Sequence, residues 1–201
     1  MSYADAVEPT AREAISVSTK PRVDMSLAAG LITGQAAGLI MAVVMMFVFT
    51  VFLGKEPFFP VQVIGSFIFG DKALDGFHQP ALVAGLVLHQ LGPSFFWGVA
   101  FGLVTYALDI RRGSRLLGLA VGAGILSQII DVNLIIPFAF RALHGHDIWA
   151  EQVPAFWSWA AHLAFGAGLA LFPFYYDRLE VVTQESSFRW DGNRAIFHTG
   201  S

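Results

Sequence analysis

An all-α membrane protein is expected from this sequence: a bundle of four transmembrane helices, with a short interfacial helix between the first and the second. Of the 201 residues, 55% are hydrophobic and only 13% charged, and the mean hydropathy is +0.60. Soluble domains carry about 25% charged residues. Four apolar stretches, at about 27–53, 80–108, 116–140 and 155–176, each reach the length of about 20 residues that crosses a bilayer. Within them small residues recur every fourth position, the spacing that lets helix backbones approach closely in lipid.

The first span carries Gly30, Gly34 and Gly38 on one face. The connector 54–79 opens with Lys55, Glu56 and Pro57 and then holds an apolar run, 58–70, too short to span. That run is expected to lie at the membrane surface, anchored by Phe58 and Phe59. The second span contains Gly98 and Gly102, and the third opens with Gly118, Ala120 and Gly122. The fourth has Ala160, Ala164 and Gly168. Lipid is the expected surroundings, together with other membrane subunits if the protein is an accessory part of a complex.

Orientation follows from the basic residues. Arg12, Lys20 and Arg22 precede the first span, Arg111, Arg112 and Arg115 join the second to the third, and Arg178, Arg189 and Arg194 follow the fourth. These are nine of the twelve Lys and Arg residues. Cytoplasmic segments carry the excess of positive charge, so the tails 1–26 and 177–201 are expected inside, in a bacterial inner membrane. Trp149, Trp157 and Trp159 fit an interfacial belt on the outer side.

Composition also excludes chemistry. The formal net charge is −3, which gives no basic surface for nucleic acid. The chain has no cysteine, so disulfides, thiolate metal sites, iron–sulfur clusters and c-type haem are out. The first 25 residues hold no apolar core of a signal peptide.

Ionisable residues within spans are candidates for function. His89, Asp131 and His162 lie on three different spans. At about 1.5 Å per residue, each sits roughly 10–15 Å in from the outer end of its helix. Each shares a face with small or polar neighbours, Asp131 with Ser127 and Gln128. A buried cluster of His89, Asp131, His162, Ser127 and Gln128 is therefore expected, with a histidine in hydrogen-bond reach of Asp131, directly or through one water. Its use is open among three readings: an interhelical clamp, a proton or solute path, or a b-type haem on His89 and His162. In the haem reading Gly85, Gly92 and Gly166 would make room for the ring. Separately, His144, His146 and Asp147 in the outer loop carry donors suited to a divalent metal. No phosphate loop or zincin motif is present, and a non-enzymatic role is expected.

The segment Gly54-Lys55-Glu56-Pro57-Phe58-Phe59-Pro60-Val61-Gln62-Val63-Ile64-Gly65, followed by a helix with His89 and Ser94, resembles small uncharacterised bacterial inner-membrane proteins of the YagU-like kind over about 27–108. The resemblance implies a four-helix inner-membrane architecture and no particular activity.

Overall fold

The computed structural model describes residues 22–183. The outer parts of both tails, 1–21 and 184–201, lie outside the described residues. No strand occurs among the described residues. Helix α1 is Val23–Val51, α2 is Phe59–Phe69, α3 is Gln79–Ala107, α4 is Gly113–His144, α5 is Ile148–Gln152 and α6 is Ala155–Thr183. Four of these, α1, α3, α4 and α6, are long and apolar enough to cross a membrane. They run longer than the apolar stretches. The helix of α1 begins at Val23, after an Arg22–Asp24 ion pair of 2.7 Å. The last helix continues past Tyr176 to Thr183, and Arg112 grips its Asp177 at 2.7 and 2.8 Å. Hydrogen bonding carries each helix beyond its apolar core.

The faces of α1 are inverted relative to a water-soluble helix. Its buried side is Ala29, Gly30, Thr33, Gly34, Ala37 and Gly38, while Ile32, Leu39, Ile40, Val43 and Phe47 point outward. Lipid removes the penalty for exposing large apolar side chains, and small residues at the contact let backbones meet. Gly30 and Gly34 face Gly98 and Gly102 of α3, backbone against backbone. A Cβ on Gly34 would stand 2.3 Å from the Ser94 carbonyl and 2.5 Å from Gly98 Cα. Ala37 meets Gly168 of α6, and Gly124 of α4 meets Gly166 of α6. The chain of contacts is thus α3–α1–α6–α4. The third span differs from expectation here. Gly118 and Gly122 have open space around them, and the contact seam is Ala120 and Gly124, one face further round.

The short helix α2 also differs from expectation. It runs lengthwise and antiparallel along the first half of α3, with Gly65 against Ala81 and Gly85 against the Val61 carbonyl. It therefore stands beside the span it precedes and does not lie across the helix ends. The cause is a second small-residue seam. Gln62, buried in α2, donates to the carbonyls of Ala73 and Gly76 at 2.7 and 2.8 Å and holds the return turn to α3.

Two spans contain wide turns of π-helix, at Gln90–Ser94 in α3 and Gln128–Ile135 in α4. Proline explains both. Pro93 and Pro137 carry no amide hydrogen, so each interrupts the ladder of its helix. The Gln90 carbonyl also accepts a bond from Gln35 Nε2 of α1, at 2.9 Å.

The glycine seam makes a prediction. Gly34→Val should lower the melting temperature of the purified protein, with a loss of about 1–3 kcal/mol from overpacking. Gly122→Ala, in open space, should leave it unchanged or raise it slightly, because Ala is the better helix former. Thermal unfolding of the two variants in the same detergent checks this.

Candidate functional site

In the half of the bundle that holds α2 and α5, away from the Arg111–Arg115 turn, α1 and α3 part, because Met41 and Met45 succeed the glycines on the inward face of α1. A cavity of about 270 Å³ fills the gap, bounded by all six helices. Its wall is mostly carbon: Met45, Ile64, Leu86, Val132, Phe140 and Phe165 are typical. Its polar members are His89, Ser94 and Trp97 from α3, Ser127 and Asp131 from α4, Trp149 from α5, and His162 from α6. The π turns lie at this level, and π turns concentrate at functional sites.

The structure thus gathers His89, Asp131, His162 and Ser127 around one space. It does not pair a histidine directly with Asp131. Asp131 accepts a hydrogen bond from Trp97 Nε1 at 2.8 Å, so an indole across the cavity supplies the partner expected from a histidine. His89 Nε2 meets the Gly38 carbonyl at 3.0 Å, and His162 Nδ1 meets the Ser158 carbonyl one turn back at 2.9 Å. A carbonyl only accepts, so each of those nitrogens carries the proton. In the neutral rings the other nitrogen is then an acceptor. Ser127 donates to the Gly124 carbonyl at 2.8 Å. Gln128 stands apart from the cavity wall: its Oε1 accepts from Ser158 Oγ at 2.9 Å, bonding α4 to α6, and its Nε2 reaches Asn133 at 3.4 Å.

Trp97 is the residue that sequence reasoning missed. Its depth matches Asp131 on the facing span, and its ring nitrogen is a donor only. An aromatic residue in an apolar helix reads as packing, which hid it. The π turns were signalled by Pro93 and Pro137, prolines inside long apolar stretches. Two buried groups in the cavity wall have no partner at all, Ser94 Oγ and Trp149 Nε1. Buried polar groups are nearly always hydrogen-bonded, so the wall is incomplete by itself.

The haem reading does not fit these residues. His89 Nε2 is engaged by Gly38. Two of the three glycines expected to admit the ring are occupied by backbone, Gly85 by Val61 and Gly166 by Ala120 and Gly124. Nor does the outer loop form the expected metal site. His144 bonds the Phe67 carbonyl at 3.1 Å. Asp147 caps α5 by accepting from Ala150 N at 3.1 Å, with Arg141 3.9 Å away. Among the described residues no three His, Asp or Glu side chains are placed to hold a metal.

What the loop holds instead is a latch. His146 Nδ1 lies 2.8 Å from Glu151 and its Nε2 3.2 Å from Asp71, so the ring joins the turn before α5, and α5 itself, to the turn after α2. Glu151 first, and Asp71 second, raise the His146 pKa above its usual value of 6.5. A raised folded-state pKa adds stability that is fully present below 6.5 and is lost as pH rises through the raised value. The melting-temperature gap between wild type and His146→Gln should therefore be widest at acid pH and close on the alkaline side. A titration followed by histidine ring NMR should place His146 above an unstructured histidine.

In comparisons with known proteins, no family model, no curated protein and no solved structure matches this chain.

Proposed function

We propose that the protein is a non-enzymatic, four-span inner-membrane protein that binds a small molecule in the outer-half cavity. One observation carries this reading: a single carbon-lined space of about 270 Å³ into which three helices present His89, Asp131, Ser127 and His162. Ligand sites have this composition, mostly apolar with a few placed polar groups. The clamp reading accounts less well for the space, because a clamp closes on its partners. A proton path is disfavoured by the inner half. There Gly30 and Gly34 of α1 press on Gly98 and Gly102 of α3, and Thr105 is bonded to its own helix at the Gly102 carbonyl.

In this proposal both tails and the Arg111–Arg115 turn face the cytoplasm, and the Phe58–Gln79 connector and the His144–Glu151 loop face outward. The support is the distribution of Lys and Arg. Inner-membrane location rests on the composition and on the YagU-like resemblance. The chain lacks cysteine, so single cysteines report cleanly. In intact cells Asp75→Cys should react with a membrane-impermeant thiol reagent, and Ser114→Cys should react only after lysis. Both positions are exposed. The reverse pattern would invert the topology.

The cavity itself is tested with xenon, which enters dry apolar cavities of this kind. Purified protein in lipid nanodiscs should shift the xenon resonance beyond the shift of empty nanodiscs, and Ala42→Trp, which fills the wall from α1, should remove the difference. If wild type and Ala42→Trp behave alike, the cavity is not a binding site.

A further inference from the structure

The hydrogen-bond directions in the cavity narrow its ligand. After His89 donates to Gly38 and His162 to Ser158, both rings offer an acceptor nitrogen. Ser127 has spent its proton on Gly124 and offers lone pairs. Asp131 accepts from Trp97 and has further acceptor capacity. These four groups of the wall ask an occupant for protons, against one bare donor, Trp149 Nε1, and Ser94 Oγ, which can act either way. Among the described residues no Lys, Arg or His forms an ion pair with Asp131. A carboxylate in a membrane span is expensive without a partner. The surrounding faces are aromatic, from Trp97, Phe140 and Phe165, and aromatic faces attract cations.

We propose that the cavity binds a lipophilic amine, whose ammonium sits at Asp131 and whose hydrocarbon body fills the carbon-lined space. This inference rests on the reading of the cavity as a ligand site and names the class of ligand. A neutral alcohol has one proton to donate, satisfies one acceptor and leaves the carboxylate without a counter-charge. A bare metal ion lacks a set of three ligands. Size is also informative. An apolar cavity of about 150 Å³ holds benzene, so this one suits a body of roughly ten carbon atoms. Leu86 and Gly92 of α3 line the cavity and are also exposed, and Asp131 of α4 is half-buried at the same wall, so the cavity reaches the lipid-facing surface there. That surface continues as exposed Leu91, Phe95, Leu134 and Ile135, so the ligand arrives from lipid.

The test compares three cage compounds of one shape in nanodisc-held full-length protein: aminoadamantane, hydroxyadamantane and adamantane carboxylate. Calorimetry should show the amine binding about tenfold or more tighter than the alcohol, the scale of one charge-assisted hydrogen bond, with the carboxylate weakest. Asp131→Asn should remove the preference for the amine over the alcohol. The wild-type comparison decides by itself if that variant does not fold. Equal binding of amine and alcohol, tightest binding by the carboxylate, or an amine preference that survives Asp131→Asn overturns the amine assignment while a positive xenon result keeps the cavity as a site. Failure of all three compounds overturns the amine assignment as well, and failure of xenon with them removes both readings.

Discussion

The approach of α1 to α3 at Gly30, Gly34, Gly98 and Gly102 is the contact on which the remaining architecture depends. Backbone touches backbone there, and a methyl group at Gly34 would fall 2.3 Å from a carbonyl oxygen. In lipid no hydrophobic force drives helices together, so close packing has to supply the attraction. The seam fixes the two helices only over the half that bears the Arg111–Arg115 turn. Where methionine follows glycine on α1 the helices diverge, and the cavity is the volume left by that divergence. The same absence of a side chain at Gly38 bares its carbonyl to His89 Nε2. One stripe of small residues thus determines which half of the bundle is solid, which half is hollow, and how one imidazole in the hollow is protonated.

The cavity differs from the rest of the interior in how its polar groups are satisfied. Elsewhere a buried side chain ends its hydrogen bonding on a nearby backbone group, as Thr33 does on Ala29 at 2.6 Å and Ser66 on Val63 at 2.6 Å. Around the cavity His89, His162 and Ser127 do so once and keep acceptor capacity, while Ser94 Oγ and Trp149 Nε1 have no partner. Asp131 is the extreme case, bonded only to an indole. The two π turns contribute by unwinding the helices beside His89 and at Asp131, which re-aims side chains that a regular helix would place elsewhere.

Much of this was legible from the residues alone, and the reasons are physical. Hydropathy and length mark the four long helices because a span has to cover the bilayer with carbon. Spacing by four marks the seams of α1 and α3, since close approach tolerates few side chains. In the third span two overlapping stripes of small residues exist, and the one on the side of Ser127 and Asp131, Ala120 and Gly124, makes the seam while Gly118 and Gly122 stay open. The gathering of His89, Asp131, His162 and Ser127 followed from equal depth and from polar faces. The pairing within that group did not follow, because depth and face say nothing about which donor is nearest. Trp97 competes with both histidines for Asp131 and wins on geometry. The orientation of α2 was hidden for a related reason. An apolar run of eleven residues is equally suited to lying flat or standing, and only Gly65, Ala81 and Gly85 together decide it.

The upright α2 bears on how such a chain is made. Eleven helical residues extend about 16 Å, roughly half the hydrocarbon thickness. On leaving the ribosome this segment has neither the length to stop in the bilayer nor a neighbour to cover its polar ends. Its neighbour in the finished protein, the Ala81–Gly85 surface of α3, is synthesised after it. The final placement of α2 therefore requires α3, with which it forms a hairpin closed by Gln62.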